Sequence, residues 1–185
     1  AKEGAEDDAR AGAAAIAAMR RGDVVVGIAA SGVTPFVRAA LIAAKKRGCR
    51  TVLVTSNADS GRAAEIVIAP RVGPELLAGS TRLKSASAAK LVLNQLTVTA
   101  MIGLGKVYDH WMVDLKLNSK KLHLRAARIV ATLGRVPPAR AARLLREAGG
   151  SVKLAVAIAR TGLPVELARK ALDLAGGNLR TVLEA

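Results

Sequence analysis

Three stretches of this 185-residue chain carry side chains that could engage a ligand. Ser31-Gly32-Val33-Thr34 brings two hydroxyls and a glycine to the point where an apolar run gives way to Pro35. At the carboxyl end of a strand, with a helix N-terminus following, such a turn can cradle a phosphate: the helix offers free N–H groups and the glycine lets backbone approach the ligand. The same residues serve equally as an ordinary strand-to-helix turn with Thr34 as its N-cap. Gly79-Ser80-Thr81-Arg82-Leu83-Lys84 is the second place. Ser80 and Thr81 can cap a following helix and Arg82 and Lys84 could attract an anion, although a plain cap with solvated cations accounts for them as well. Glu6 is the third, beside Glu3, Asp7 and Asp8. A carboxylate at a helix start needs no further reason than the helix dipole. His110 and His123 are too few and too isolated for a metal site, and there is no Ser-His-Asp pattern, P-loop or GxGxxG.

The elements that must position these residues read as an alternation. Residues 6–21 predict a helix, with Asp7 and Asp8 at its start and Gly22 stopping it. Asp23–Ala30 is a continuous Val-rich run, the pattern of a strand buried on both faces of a parallel sheet. A helix follows from Pro35 to about Gly48. Thr51–Thr55 is a second strand, residues 56–61 a polar loop, and Ile66–Ala69 a short third strand ended by Pro70. A long helix is expected from Ser80 to about Leu104. Strands alternating with helices imply right-handed crossovers and an α/β sheet. Residues 122–185 show no strand pattern and read as short helices broken at Gly134, Pro137-Pro138, Gly149-Gly150, Gly162 and Gly176-Gly177, with Leu154, Ile158, Leu167, Leu172, Leu179 and Leu183 as a small core. The expected division is 1–118 and 119–185.

Composition narrows the function classes. Hydrophobic residues make up 51% of the chain, but there is one Trp, one Tyr and one Phe, so the core must be built from Ala, Val, Leu and Ile. The formal charge of +15 raises nucleic-acid binding. The cations are scattered, however, with Arg20-Arg21, Lys45-Lys46-Arg47 and Lys120-Lys121 near expected helix ends, and stacking aromatics are scarce. A solvated basic surface without a nucleic-acid partner is the expectation. Cys49 cannot form an intrachain disulfide and precedes an apolar run, as a buried structural thiol would. No secretory signal is visible, and the stretch Leu91–Gly105 is too short to span a bilayer. A soluble, cytoplasmic protein without a membrane partner is expected.

The strings GAEDD, DVVVGIAASGVTPFV, GCRTVLVTSN, VGPELLAGSTRLKSASAAKLVLNQLTVTAMIGLGKVY and MVDLKLNSKKL occur in order over residues 4–122. Together they resemble the N-acetylmuramic acid 6-phosphate etherases, with the GSTRLK, AKLVLN and GKVY block the most specific part. The tail, with Ala171-Leu172 and Gly176-Gly177-Asn178-Leu179-Arg180, is similar to the small UBA-like helical segment that ends those enzymes.

The resemblance implies part of a sugar-phosphate isomerase-type (SIS) α/β fold followed by a small all-α segment, a homodimer, and a lyase that removes D-lactate from the 3-position of a phosphorylated amino sugar. The reaction would be an elimination through an unsaturated intermediate followed by addition of water, without metal or other cofactor. It needs a base for the C2 proton and an acid for the departing oxygen. Glu6 falls on the glutamate of the family's GAED motif and becomes the acid/base candidate. Ser31, Gly32 and Thr34 fall on the SGxTP motif, and Ser80, Thr81 and Lys84 on GSTRxK, as candidates for binding the sugar phosphate or shaping its pocket. An upstream strand, a first phosphate loop and a second catalytic glutamate of the family are missing, and Ser85–Lys90 reads SASAAK where the family pattern is closer to AGTAQK. The chain is therefore expected to be a fragment or one piece of a split enzyme, inactive by itself. The alternative is a non-catalytic sugar-phosphate-binding regulator similar to the glucokinase regulatory proteins.

Overall fold

Val24–Ile28 forms strand β1, which pairs in parallel with β2 (Arg50–Val54), and β2 pairs in parallel with β3 (Ile66–Ile68). The order β1-β2-β3 makes a three-stranded parallel sheet, so the fold class is α/β; β1 and β3 lie within the expected runs and β2 is shifted by one residue from the expected 51–55. The register sets Ile28 beside Val54 and Val54 beside Ile68, so all three strands end on one side of the molecule. The computed structural model describes residues 4–60 and 63–184, divided into two compact units, Ala1–Gln95 and Leu96–Ala185. The division falls inside the long helix α3 (Lys84–Gly103).

In the first unit, helix α1 (Ala9–Ala15) packs against α2 (Pro35–Lys46), the crossover between β1 and β2. The approach is close because Gly12 has no side chain: a Cβ there would overlap the carbonyl of Phe36. Gly27 does the same on the sheet, where a Cβ would lie 2.7 Å from Val37 Cγ1. Leu41, Leu53, Ala63 and Ala64 are buried on one side of α2, and Ile16, Ala40, Ala44 and Cys49 on another. Cys49 is the buried thiol that its surroundings in sequence implied, its Sγ 3.3 Å from the carbonyl of Arg20. Arg47 ties the chain after α1 to the end of α2, donating from Nε to Met19 O at 3.0 Å and from Nη2 to Ala17 O at 2.6 Å.

Two expectations here are corrected. The first helix is shorter than 6–21: a 3-10 turn (Ala5–Asp7) precedes α1, whose N-cap Asp8 accepts the amide of Ala11 at 2.9 Å. The chain then leaves the helix through tight turns, Ala17 to Ala14 and Met19 to Ile16, that carry Met19 onto the core. β1 is not buried on both faces. Val25 and Gly27 face α2, whereas Val24, Val26 and Ile28 are 60%, 37% and 46% exposed. A strand with one open apolar face has the same Val-rich sequence as one covered on both, which is why the run alone could not separate them.

The second unit holds the end of α3, a hairpin and five helices. β4 (Val107–Tyr108) and β5 (Trp111–Met112) pair antiparallel around a turn in which Asp109 adopts φ 51°. The hairpin was not foreseen, since two-residue strands carry no detectable alternation. α4 (Lys120–Gly134), α5 (Pro138–Glu147), α6 (Val152–Thr161), α7 (Val165–Leu174) and α8 (Leu179–Leu183) break where the prolines and glycines said they would. Ser119 and Ser151 cap α4 and α6 by accepting the amides of Leu122 and Leu154. Lys120 and Lys121 are corrected in place: they open α4, the end where a helix dipole disfavours cations.

Leu154, Leu172 and Leu179 are buried with Ile129, Val130, Leu145 and Val156, and Ile158 and Leu183 pack at the edge of that cluster. Leu167 is a correction, since it is 53% exposed. α7 turns Ala168 and Leu172 inward, and a residue one position before Ala168 points about 100° away from that face. Arg180 of α8 donates to Asp109 at 2.6 Å and lies 5.1 Å above the Tyr108 ring, holding the last helix to the hairpin. No helix among the described residues is long and apolar enough to cross a membrane.

Candidate functional site

Beyond the carboxyl ends of the three strands, the loops after β1 and β2 are knitted together. Thr55 Oγ1 donates to Ala30 O at 3.0 Å and accepts the amide of Asn57 at 3.1 Å. Asn57 Nδ2 donates to Ser31 O at 3.1 Å, while its Oδ1 accepts the amide of Asp59. The amide of Ser56 donates to Ala30 O. Gly32, at φ 71°, lies in the left-handed region, and a Cβ on it would overlap Ser60 and lie 2.9 Å from Thr55 Oγ1. Glycine is therefore required here both for its backbone conformation and for the contact between loops.

These loops wall a cavity of about 170 Å³. Ile28, Ala30, Val54, Thr55 and Ser56 form one side, Pro70 follows β3, and Thr81, Ser85, Ala86 and Ala89 come from the start of α3 and the turn before it. The cavity thus lies where ligands enter open parallel sheets. Apolar walls with Ser56 and Thr81 among the lining residues suit a small polar ligand, since a few convergent polar groups orient it.

Of the candidate residues, only Thr81 lines this cavity. Ser31 and Gly32 stand behind it in the turn after β1; Ser31 is exposed and its Oγ accepts the amide of Val33 at 3.4 Å. Thr34 occupies the N-cap position of α2 without a side-chain cap bond. Ser80 is half-buried, its amide donating to Leu77 O. Lys84 is the first residue of α3 and donates from Nζ to Pro74 O at 2.7 Å. Glu6 is exposed in the 3-10 turn that packs beside α2.

Sequence reasoning missed Thr55, Ser56, Ser85 and Glu75. Thr55 falls at the expected end of the second strand and Ser56 in a loop recognised only as polar, although Ser56-Asn57 after a strand is the kind of pair that makes Asx turns. Glu75 carried no local signal. It accepts the amide of Lys84 at 2.8 Å and that of Ser85 at 3.0 Å, so the cap of α3 comes from upstream of the Ser80-Thr81 turn. The Ser85 amide foremost, then that of Lys84, holds the Glu75 carboxyl below the usual carboxylate range.

No protein-family model matches the chain. Curated proteins do. It is 55% identical to an N-acetylmuramic acid 6-phosphate etherase of Symbiobacterium thermophilum over 88% of this chain and 55% of that protein. It is 49% identical to the enzyme of the same name from Brucella anthropi, over 99% of this chain and 61% of that protein. With the one from Vibrio atlanticus the identity is 48%, over 100% and 61%. From end to end this chain is similar in sequence to N-acetylmuramic acid 6-phosphate etherases, and it spans about three fifths of the length of the curated relatives it matches.

Proposed function

We propose that this chain is the C-terminal portion of an N-acetylmuramic acid 6-phosphate etherase and supplies part of the site that binds the sugar phosphate. The observation that carries the reading is sequence identity of 48–55% to proteins of that name across 88–100% of the chain. The cavity beyond the strand ends adds to it, because a small concave site with a few polar groups beyond the ends of a parallel sheet suits a polar ligand such as a phosphorylated sugar. On this reading residues 1–118 belong to a SIS-type domain and residues 119–185 form a UBA-like helical segment, in a cytoplasmic enzyme that works as a homodimer on a phosphorylated amino sugar.

The complete enzyme cleaves the D-lactyl ether by elimination and hydration, giving N-acetylglucosamine 6-phosphate and D-lactate. Glu6 is one of the two acid/base groups such a route needs, and the second carboxylate comes from outside this chain. Ser31, Gly32 and Thr34 shape the turn behind the cavity, and Ser80 and Thr81 in the loop before α3, with Lys84 at the first position of that helix, shape the other wall. General acid–base groups contribute about 10²–10⁴-fold each, so the chain alone should release lactate at no more than a trace of the full rate. Lactate release is to be measured for this chain, for the chain joined to the upstream part of a relative, and for that joined protein carrying Glu6→Gln. The expected result is activity only in the joined protein and a loss of about 10²-fold or more in the variant. Full activity in this chain alone, or in a folded Glu6→Gln protein, overturns the assignment of roles.

A further inference from the structure

The loop that carries Ser80 and Thr81 is closed by residues outside it. Glu75 binds the amides of Lys84 and Ser85 through one carboxylate oxygen each, at 2.8 and 3.0 Å, and the Lys84 ammonium returns to Pro74 O at 2.7 Å. These bonds join residues 74–75 to residues 84–85, with the Ser85 side chain also hydrogen-bonded to Glu75, and the segment between them is the Ser80-Thr81 loop. The amides at a helix start are where an external anion would otherwise sit. Here a carboxylate of the chain itself has taken them.

We propose that Glu75 is a positioning residue for the sugar-phosphate loop: its carboxylate occupies the start of α3 and sets Thr81 and Ser85 on the cavity wall. This rests on the reading of that cavity as the sugar-phosphate site. Two consequences follow from the charge. A phosphate entering the cavity cannot use the amides of Lys84 and Ser85 without displacing a like-charged group, so it is directed to the hydroxyls of the loop. Lys84, committed to Pro74 O, braces the loop rather than facing the ligand. Glutamine has the shape of glutamate but is neutral, and one of its two terminal atoms is a donor, so it cannot accept both amides.

The experiment compares the full chain with Glu75→Gln by amide hydrogen exchange and by calorimetric titration with N-acetylglucosamine 6-phosphate, with N-acetylglucosamine as the unphosphorylated control. Thermal melts establish that both proteins are folded. In the variant, exchange at Lys84 and Ser85 should be about tenfold faster while amides of β1 and β2 are unchanged, and affinity for the phosphorylated sugar should fall by about tenfold. A general loss of structure would speed exchange throughout the sheet and overturns the assigned role. So does unchanged exchange at Lys84 and Ser85, or an undiminished affinity in the variant when the unsubstituted chain binds. Failure of the unsubstituted chain to prefer the phosphorylated sugar overturns the cavity reading and the ligand role of Glu75 together, which separates that outcome from the others.

Discussion

Gly32 and Ser60 pack so closely, across the loops after β1 and β2, that no side chain fits at position 32. Ser60 is buried, and its Oγ has no hydrogen-bond partner among the described residues. The contact sets the spacing between the turn bearing Ser31 and the loop bearing Thr55, Ser56 and Asn57.

Gly32→Ala should therefore strain both the backbone and the loop contact. The expected cost is about 1–3 kcal/mol from a left-handed residue that is no longer glycine and from overpacking against Ser60. Thermal melting measures it, and sugar-phosphate titration should show weakened binding in the same variant. A variant as stable as the original would mean that the two loops can separate freely.

The helical unit offers a matched pair of leucines on one helix. Leu172 is buried and Leu167 is half exposed to solvent. Leu172→Ala should cost about 2–5 kcal/mol through lost burial and a residual cavity. Leu167→Ala should stay within about 0.5 kcal/mol, as surface substitutions usually do. Denaturant unfolding of both variants checks the difference, and equal losses would place the inner face of α7 wrongly.

Acid should loosen the Glu75 clasp. Its carboxyl binds a proton less readily in the folded chain than in the unfolded one, because the Ser85 and Lys84 amides favour the charged form. The unfolded state then takes up more protons as pH falls, so the stability from this group is complete above the ordinary glutamate range and is lost as pH drops through the lower folded value. Melting temperatures of the original chain and of Glu75→Gln should differ at neutral pH and converge in acid. A gap that stays constant down to the acid limit would show that the carboxylate charge contributes nothing.

Much of the architecture was legible in residue order. Val-rich runs ended by turns are strands because β-branched side chains pack on a pleated surface, and Pro35, Pro138, Gly162 and Gly176-Gly177 punctuate helices through backbone sterics alone. The motif blocks from GAEDD to GKVY were equally visible, since their information lies in order and spacing. The helical core was read correctly wherever the period placed apolar residues on one face, and it failed at Leu167, one position out of phase.

Tertiary structure decided what depends on neighbours distant in the chain. Whether both faces of β1 are covered depends on what packs against them. The cap of α3 comes from Glu75, nine residues before Lys84, and Arg180 meets Asp109 from 71 residues away. The cavity needs Ile28, Val54, Pro70 and Ser85 at once, which only the parallel register and the return of α3 bring together. Local sequence specifies dihedral angles and periodic faces through short-range sterics, whereas a site is a convergence of segments, and convergence is set by packing.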